Sequence, residues 1–229
     1  MPELIKTIKT LLADDHMIVR EGLRALLATD PTIEVIAEAH DGREAVELAK
    51  THLPDVVVMD IAMPLLNGLE AAKQILKLLP ATKIVILSAH NDDAYIDRVI
   101  EIGAVGFLVK QTSAQVLAKA IKVVAAGDTF FSPSVAKRIQ ENYGKVQKSG
   151  ALLTKKSYGL TSREMEVIQL VAEGQANKQV ASELKISIKT VEKHRQHLMD
   201  KLNIHDTAGL TRYAIAQGII ESSVQIILV

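Results

Sequence analysis

Asp14 and Asp15 stand together in LLADDH, and Asp60 closes the apolar run VVVMD. Three carboxylates brought to one place repel one another unless a cation sits among them. A hard cation with oxygen ligands, Mg2+ foremost, would relieve that repulsion and leave Asp60 free to attack a phosphoryl group. IVILS ends in Ser88 and GFLVK ends in Lys110. That hydroxyl and ammonium could bind phosphoryl oxygens as charge develops on them. Each residue alone has an ordinary explanation, since Asp after a strand is common turn chemistry. Five suitable residues after four strands do not share one.

The elements that must position them are legible in the first 127 residues, where short apolar runs alternate with helical periodicity. This is the pattern of repeated strand-helix units around a parallel sheet. Strands are expected at Ile8 to Ala13, Glu34 to Ala39, Val56 to Met59, Lys83 to Leu87 and Gly106 to Val109. Asp41 with Glu44 and Asn67 with Glu70 have capping-box spacing, Asn91 precedes an acidic first turn, and Ser113 can cap the helix ending near Gly127. The fold class is α/β, a doubly wound five-stranded parallel sheet, followed by a second, all-α domain. Ligands of such sheets bind outside the carboxyl ends of the strands, where all five candidates fall. Pro64, Asn67 and Gly68 read as residues that shape the loop beyond Asp60 rather than as chemistry.

These residues resemble the receiver domain of bacterial two-component response regulators: Asp14 and Asp15 in LLADDH, Asp60 in VVVMDIAMPLLNG, Ser88 in IVILSA, Phe107 and Lys110 in GAVGFLVK. The resemblance spans about residues 5–127 and implies a flavodoxin-like receiver. It implies that Asp60 accepts phosphate from the phosphohistidine of a sensor histidine kinase. Asp15, Asp60 and the Ala62 carbonyl would bind Mg2+, and Asp14 would assist through water. Ser88 and Phe107 would form a switch pair, the hydroxyl moving to the phosphoryl group as the ring turns inward. Phe107 stands where Tyr is common, and Gln111 follows Lys110 where many receivers have Pro. His16 and His90 border the pocket and read as solvated. The seven histidines show no HExxH or comparable cluster, which argues against a zinc site.

The 229 residues are 48% hydrophobic and 24% charged, which speaks against disorder and coiled-coil architectures and for two small domains. Without cysteine there is no disulfide frame, thiolate metal site or cysteine nucleophile. No run approaches about 18 apolar residues. The start has no secretory pattern. An unexported, cytoplasmic chain away from any membrane is expected. Residues 1–127 carry 13 basic and 17 acidic side chains, 128–159 carry 6 and 2, and 160–229 carry 8 and 8. No segment is basic enough to argue for nucleic acid by charge alone.

Residues 128–159 read as a short helix, Pro133 to about Tyr143, and a linker from Gly144 to Gly159. Residues 160–225 form the second domain, with helices expected at Thr161 to Glu173, Asn177 to Leu184, Ser187 to Leu202 and Thr207 to Gln217. Thr161 and Glu164 make a capping box, Ser187 can cap the third helix, and Met165, Ile168, Leu170 and Val171 supply an apolar face. The second and third helices, with Ala181 near their crossing, make a helix-turn-helix. Val191, Leu198 and Leu202 should face inward, leaving Glu192, Lys193, Arg195, Gln196 and Met199 outward, a face suited to the major groove.

The string from LTSREMEVIQ to HLMDKLNI resembles the LuxR-type helix-turn-helix of the NarL/FixJ response regulators. It implies a four-helix module for double-stranded DNA in which Lys178, Thr190 and Arg195 hold phosphates and Glu192, Lys193 and Gln196 face bases. The whole then reads as a phosphorylation-controlled transcription regulator and not an enzyme beyond its own phosphorylation and dephosphorylation. The resemblance implies masking of the DNA-binding face without phosphate and a homodimer when phosphorylated or on DNA. A phosphatase-like hydrolase with Asp60 as nucleophile is the main rival. Such enzymes commonly place a second acid two residues after the nucleophile, where Ala62 stands. A regulator that works without phosphate should have lost part of the acidic pocket, and this chain has not.

Overall fold

The computed structural model describes residues 7–89, 93–131, 135–136 and 160–220. The chain divides into two compact units, Met1–Lys155 and Lys156–Val229. His90, the Asn91 cap and the linker expected over 144–159 lie outside the described residues, as does the helix expected over 133–143 apart from Val135 and Ala136.

In the first unit the chain runs β1 (Ile8–Ala13), α1 (Met17–Leu27), β2 (Ile33–Ala39), α2 (Gly42–His52), β3 (Val56–Asp60), α3 (Gly68–Leu78), β4 (Lys83–Ser88), α4 (Asp93–Glu101), β5 (Gly106–Val109) and α5 (Ala114–Ala125). All strand pairs are parallel, in the order β2-β1-β3-β4-β5. The chain leaves β1 to one side and returns as β3 on the other, so the crevice between their carboxyl ends is the switch point where such sheets take ligands.

Strand sequences are apolar almost throughout because both faces are covered. Side chains alternate between two cores as the pleat requires. Leu11, Val57, Met59, Ile84 and Ile86 join one core with α2 and α3 residues such as Ala45 and Ile75. Leu12, Val56, Val58, Val85 and Leu87 join the other with Leu27, Leu117 and Ile121 of α1 and α5. Phe130 bridges in parallel to Gly106 and so covers part of the β5 edge, a pairing that its Gly-Asp-Thr context does not signal.

The expected caps differ in how they are made. Asp41 accepts from the Glu44 N–H at 2.8 Å, but the Glu44 carboxylate reaches past the cap to the His40 N–H. Asn67 accepts from the Glu70 N–H at 3.0 Å. Ser113 occupies the cap of α5 without a side-chain bond there, and its backbone carbonyl takes the Val116 and Leu117 N–H groups.

The second unit consists, among its described residues, of α6 (Ser162–Ala172), α7 (Asn177–Glu183), α8 (Ile188–Leu202) and α9 (Thr207–Ala216). Thr161 and Glu164 form the full capping box, and Ser187 caps α8 by accepting from the Thr190 N–H at 3.1 Å. The expected apolar stripe of α6 is wider in fact: residues 164–171 are buried on every side, Glu164, Glu166 and Gln169 included. Burial pushes the Glu164 carboxyl up, but Lys201 at 2.6 Å and the Thr161 N–H and hydroxyl outweigh it and hold the group below its usual range. Along α8, Val191 and Leu198 are buried as expected, whereas Leu202 and Met199 are both half-buried.

Candidate functional site

At the carboxyl edge of the sheet, β1 delivers Asp14 and Asp15, β3 ends on Asp60, β4 ends on Ser88, and Lys110 follows β5. Asp14, Asp60 and Ser88 are all 3% exposed or less. Lys110 gathers two of the acids: its Nζ lies 2.9 Å from Asp14 Oδ2 and 2.8 Å from Asp60 Oδ2. The lysine is itself held by its backbone N–H, which donates to the Ser88 carbonyl at 2.8 Å, so Gln111 in place of Pro leaves the β4 connection intact. Phe107, paired in register with Ile86 two residues before Ser88, is buried in the α2/α3 core at 2% exposure, so the ring expected to turn inward on phosphorylation already lies inside.

Burial pushes the Asp60 carboxyl up to about 6, against the downward pull of Lys110, with Asp14 and Asp15 adding to the rise. Burial alone would lower Lys110, yet Asp60 and Asp14 raise it above its usual value, so the ammonium stays charged. Asp14, Asp15, Asp60 and His16 each bring one ligand atom to within 4.8 Å of the others. Three carboxylates against one ammonium leave the pocket short of positive charge, and its oxygen-rich donors suit a hard divalent cation. Ala62 sits half-buried in the loop just beyond Asp60. No second acid stands at that position, as the phosphatase reading would need.

Several residues that aim the pocket carry no signature in the sequence. Arg20 of α1 donates to the Asp14 carbonyl at 2.7 Å and is braced by Glu38 of β2 at 3.4 Å. His16 is largely exposed as expected, but its Nδ1 lies 2.7 Å from Asp15 Oδ1 and its backbone N–H donates to Asp14. The Asp60 loop is drawn in by the Gly68 N–H, which donates to the Ile61 carbonyl at 2.8 Å. A Cβ on Gly68 would lie 1.8 Å from the Asp60 carbonyl oxygen, and one on Gly42 would lie 2.0 Å from that of Leu66. Both glycines are there because backbone passes over them.

In the second unit, Lys178, Glu192, Lys193 and Gln196 are exposed, while Thr190 and Arg195 are half-buried. Thr190 shares a hydrogen bond of 2.8 Å with the Ser187 hydroxyl. Gln196 Nε2 donates to Asp200 at 2.8 Å, and Arg195 donates to Asn177 and Thr207. Arg163 of α6 donates to the Leu184 carbonyl at 2.8 Å and so fastens the end of α7, a contact 21 residues apart that no local pattern announces. Burial and the Arg163 cation hold His194 of α8 below the ordinary histidine value.

Among the described residues no helix is long and apolar enough to cross a membrane. The family description "Response regulator receiver domain" matches residues 10–122, and "Bacterial regulatory proteins, luxR family" matches residues 158–214. The chain is 41% identical over 208 residues to the transcriptional regulatory protein LiaR of Bacillus subtilis, covering 90% of this chain and 96% of that one. It is 36% identical to the transcriptional regulatory protein DegU of Brevibacillus brevis over 92% of this chain and 94% of that one. A solved structure of RcsB from Salmonella enterica serovar Typhimurium, bound to promoter rprA in the presence of the phosphomimetic BeF3-, matches with TM-score 0.56 and 25% identity. That match covers 90% of this chain and 98% of RcsB. With a receiver fold, a luxR-type DNA-binding domain and relatives of this kind, the chain belongs to the NarL/DegU/LiaR-type response regulators, a family of transcription regulators rather than of classical enzymes.

Proposed function

We propose that Asp60 is the phosphoacceptor of this regulator and that its phosphorylation controls binding to double-stranded DNA. The observation that carries this is the Lys110 ammonium shared between Asp14 and Asp60 in a pocket where burial keeps Asp60 near 6. An Asp60 oxygen attacks the phosphorus of a sensor kinase phosphohistidine, forming the P–O bond as the P–N bond breaks. Asp15, Asp60 and the Ala62 carbonyl would hold Mg2+, with Asp14 assisting through water, and the ion when bound would neutralise charge on the phosphoryl oxygens. Lys110 leaves Asp60 for the arriving phosphoryl group, and Ser88 donates its hydroxyl to it. Ser88 and Phe107 then act as the switch pair. Residues 5–127 serve as the receiver, 128–159 as short helix and linker, and 160–225 as the DNA-binding domain. Work on DNA puts the chain in the cytoplasm. It acts as a homodimer when phosphorylated or on DNA; the structure of RcsB bound to promoter rprA in the presence of BeF3- supports the DNA-binding part of this reading.

The test is incubation with a small acyl phosphate with and without Mg2+, followed by mapping of the acid-labile label. The label should require Mg2+ and reside on Asp60. Label at another residue, or equal label without Mg2+, would sink the assignment.

On DNA, Glu192, Lys193 and Gln196 face base edges while Lys178, Thr190 and Arg195 meet phosphates. The exposure of Lys178, Glu192, Lys193 and Gln196 supports this division. Gln196→Ala should cost about 1–3 kcal/mol at one base position. Lys178→Ala should weaken binding to every duplex and lower the salt slope by about one. Equal losses on matched and scrambled duplexes for Gln196→Ala would contradict the division.

A further inference from the structure

Arg195 sits one turn beyond buried Val191 and one turn before buried Leu198, so its stem starts from the inner side of α8. Its guanidinium reaches two other helices at once. Nη1 donates to Asn177 Oδ1 at 2.6 Å and Nη2 donates to Thr207 Oγ1 at 3.1 Å. Asn177 is the first residue of α7 and Thr207 the first of α9. One rigid planar group therefore ties α8 to the starts of both neighbours. A cation beside helix amino termini is opposed by the helix dipoles. The arrangement thus gains little as a stability device and much as a geometric one.

We infer that Arg195, with Asn177 and Thr207, is a positioning clamp that sets the rotation of α8 and thereby the sequence selectivity of the DNA-binding domain. This rests on the reading that α8 faces DNA bases. Lys193 and Gln196 flank Arg195 in sequence on the exposed side of the helix. A side-chain tip stands about 6 Å from the helix axis. A rotation of about 20° would move such a tip by about 2 Å, beyond the tolerance of a hydrogen bond to a base edge. The guanidinium meets its two partners through separate nitrogens, whereas a lysine ammonium has one nitrogen and can bridge only acceptors that converge on a single point. Any phosphate contact Arg195 makes uses its remaining donors and depends on charge, whereas the clamp depends on shape.

The experiment uses the full chain and a duplex selected by that chain from a random pool, with a scrambled duplex of equal length as reference. Arg195→Lys and Asn177→Ala are each expected to lower the ratio of matched to scrambled affinity about tenfold, with the salt slope unchanged. The double variant should lose no more than Arg195→Lys alone, because that change already removes the bond to Asn177. Asn177→Asp, which keeps the acceptor, should retain the wild-type ratio and guards against a variant that fails through misfolding. If Arg195→Lys and Asn177→Ala both kept the wild-type ratio, the clamp would be overturned. It would equally be overturned if only Arg195→Lys lost selectivity, since Arg195 would then act on DNA directly. If the wild-type chain itself preferred no duplex over the scrambled one, the base-facing reading of α8 would fall, and the clamp with it.

Discussion

Replacing Asp60 with Asn is expected to abolish phosphoryl labelling and, without divalent metal, to make the folded receiver more stable at pH 8 by about 3 kcal/mol. Asp60 is 2% exposed and its pKa is raised from 3.8 to about 6, largely by burial. A carboxyl whose folded pKa exceeds its unfolded one binds its proton more tightly in the native state. The stability it contributes is complete below about pH 4 and is lost as pH rises through about 6, each tenfold difference in proton affinity being worth about 1.4 kcal/mol. Asn removes the penalty and leaves Lys110 its contact with Asp14. Urea denaturation in a chelator at pH 4 and pH 8 reads this directly: the variant should gain over wild type at pH 8 and little at pH 4. Mg2+ should then stabilise wild type but not the variant, because it binds the native acidic pocket. A variant less stable than wild type at pH 8 would show that Asp60 supports the fold rather than burdening it.

Gly68→Ala is expected to cost about 1–3 kcal/mol and to slow phosphorylation at least tenfold. The added Cβ would meet the Asp60 carbonyl oxygen at 1.8 Å and its carbon at 2.8 Å. Both are backbone atoms of the nucleophile itself, so relief requires moving either β3 or the start of α3. Gly22→Ala provides the control. Nothing lies within 4 Å of its Cβ, and in the middle of α1 alanine should stabilise by about 0.5–1 kcal/mol. Wild-type labelling by Gly68→Ala would mean that the loop can shift without moving the carboxylate.

Alternating apolar runs mark all five strands to within a residue or two, because a strand buried on both faces has a continuous local signal. The observed ends at Asp60 and Ser88 extend their strands by one residue and bring both groups to the crevice while still anchored in the ladder. Parallel pairing puts the carboxyl ends of all the strands, and with them Asp14, Asp15 and Asp60, at one edge on topology alone. The shell behind those groups has no such signal. Arg20 reaching the Asp14 carbonyl, Glu38 bracing Arg20, and Arg195 joining Asn177 and Thr207 are contacts made by side chains whose types suit any solvated surface. Only tertiary packing distinguishes them. The breadth of α6 burial is hidden for a related reason: Glu164, Glu166 and Gln169 are polar types that ordinarily stay in water, whereas here Lys201 and Arg163 pair with the two acids.

If phosphate on Asp60 governs DNA binding, the affinity of the full chain for its selected duplex must change on treatment with an acyl phosphate and Mg2+. Wild type should gain at least tenfold in affinity and Asp60→Asn should not respond. Equal affinity of wild type in both states, or an equal gain in the variant, would refute control through Asp60.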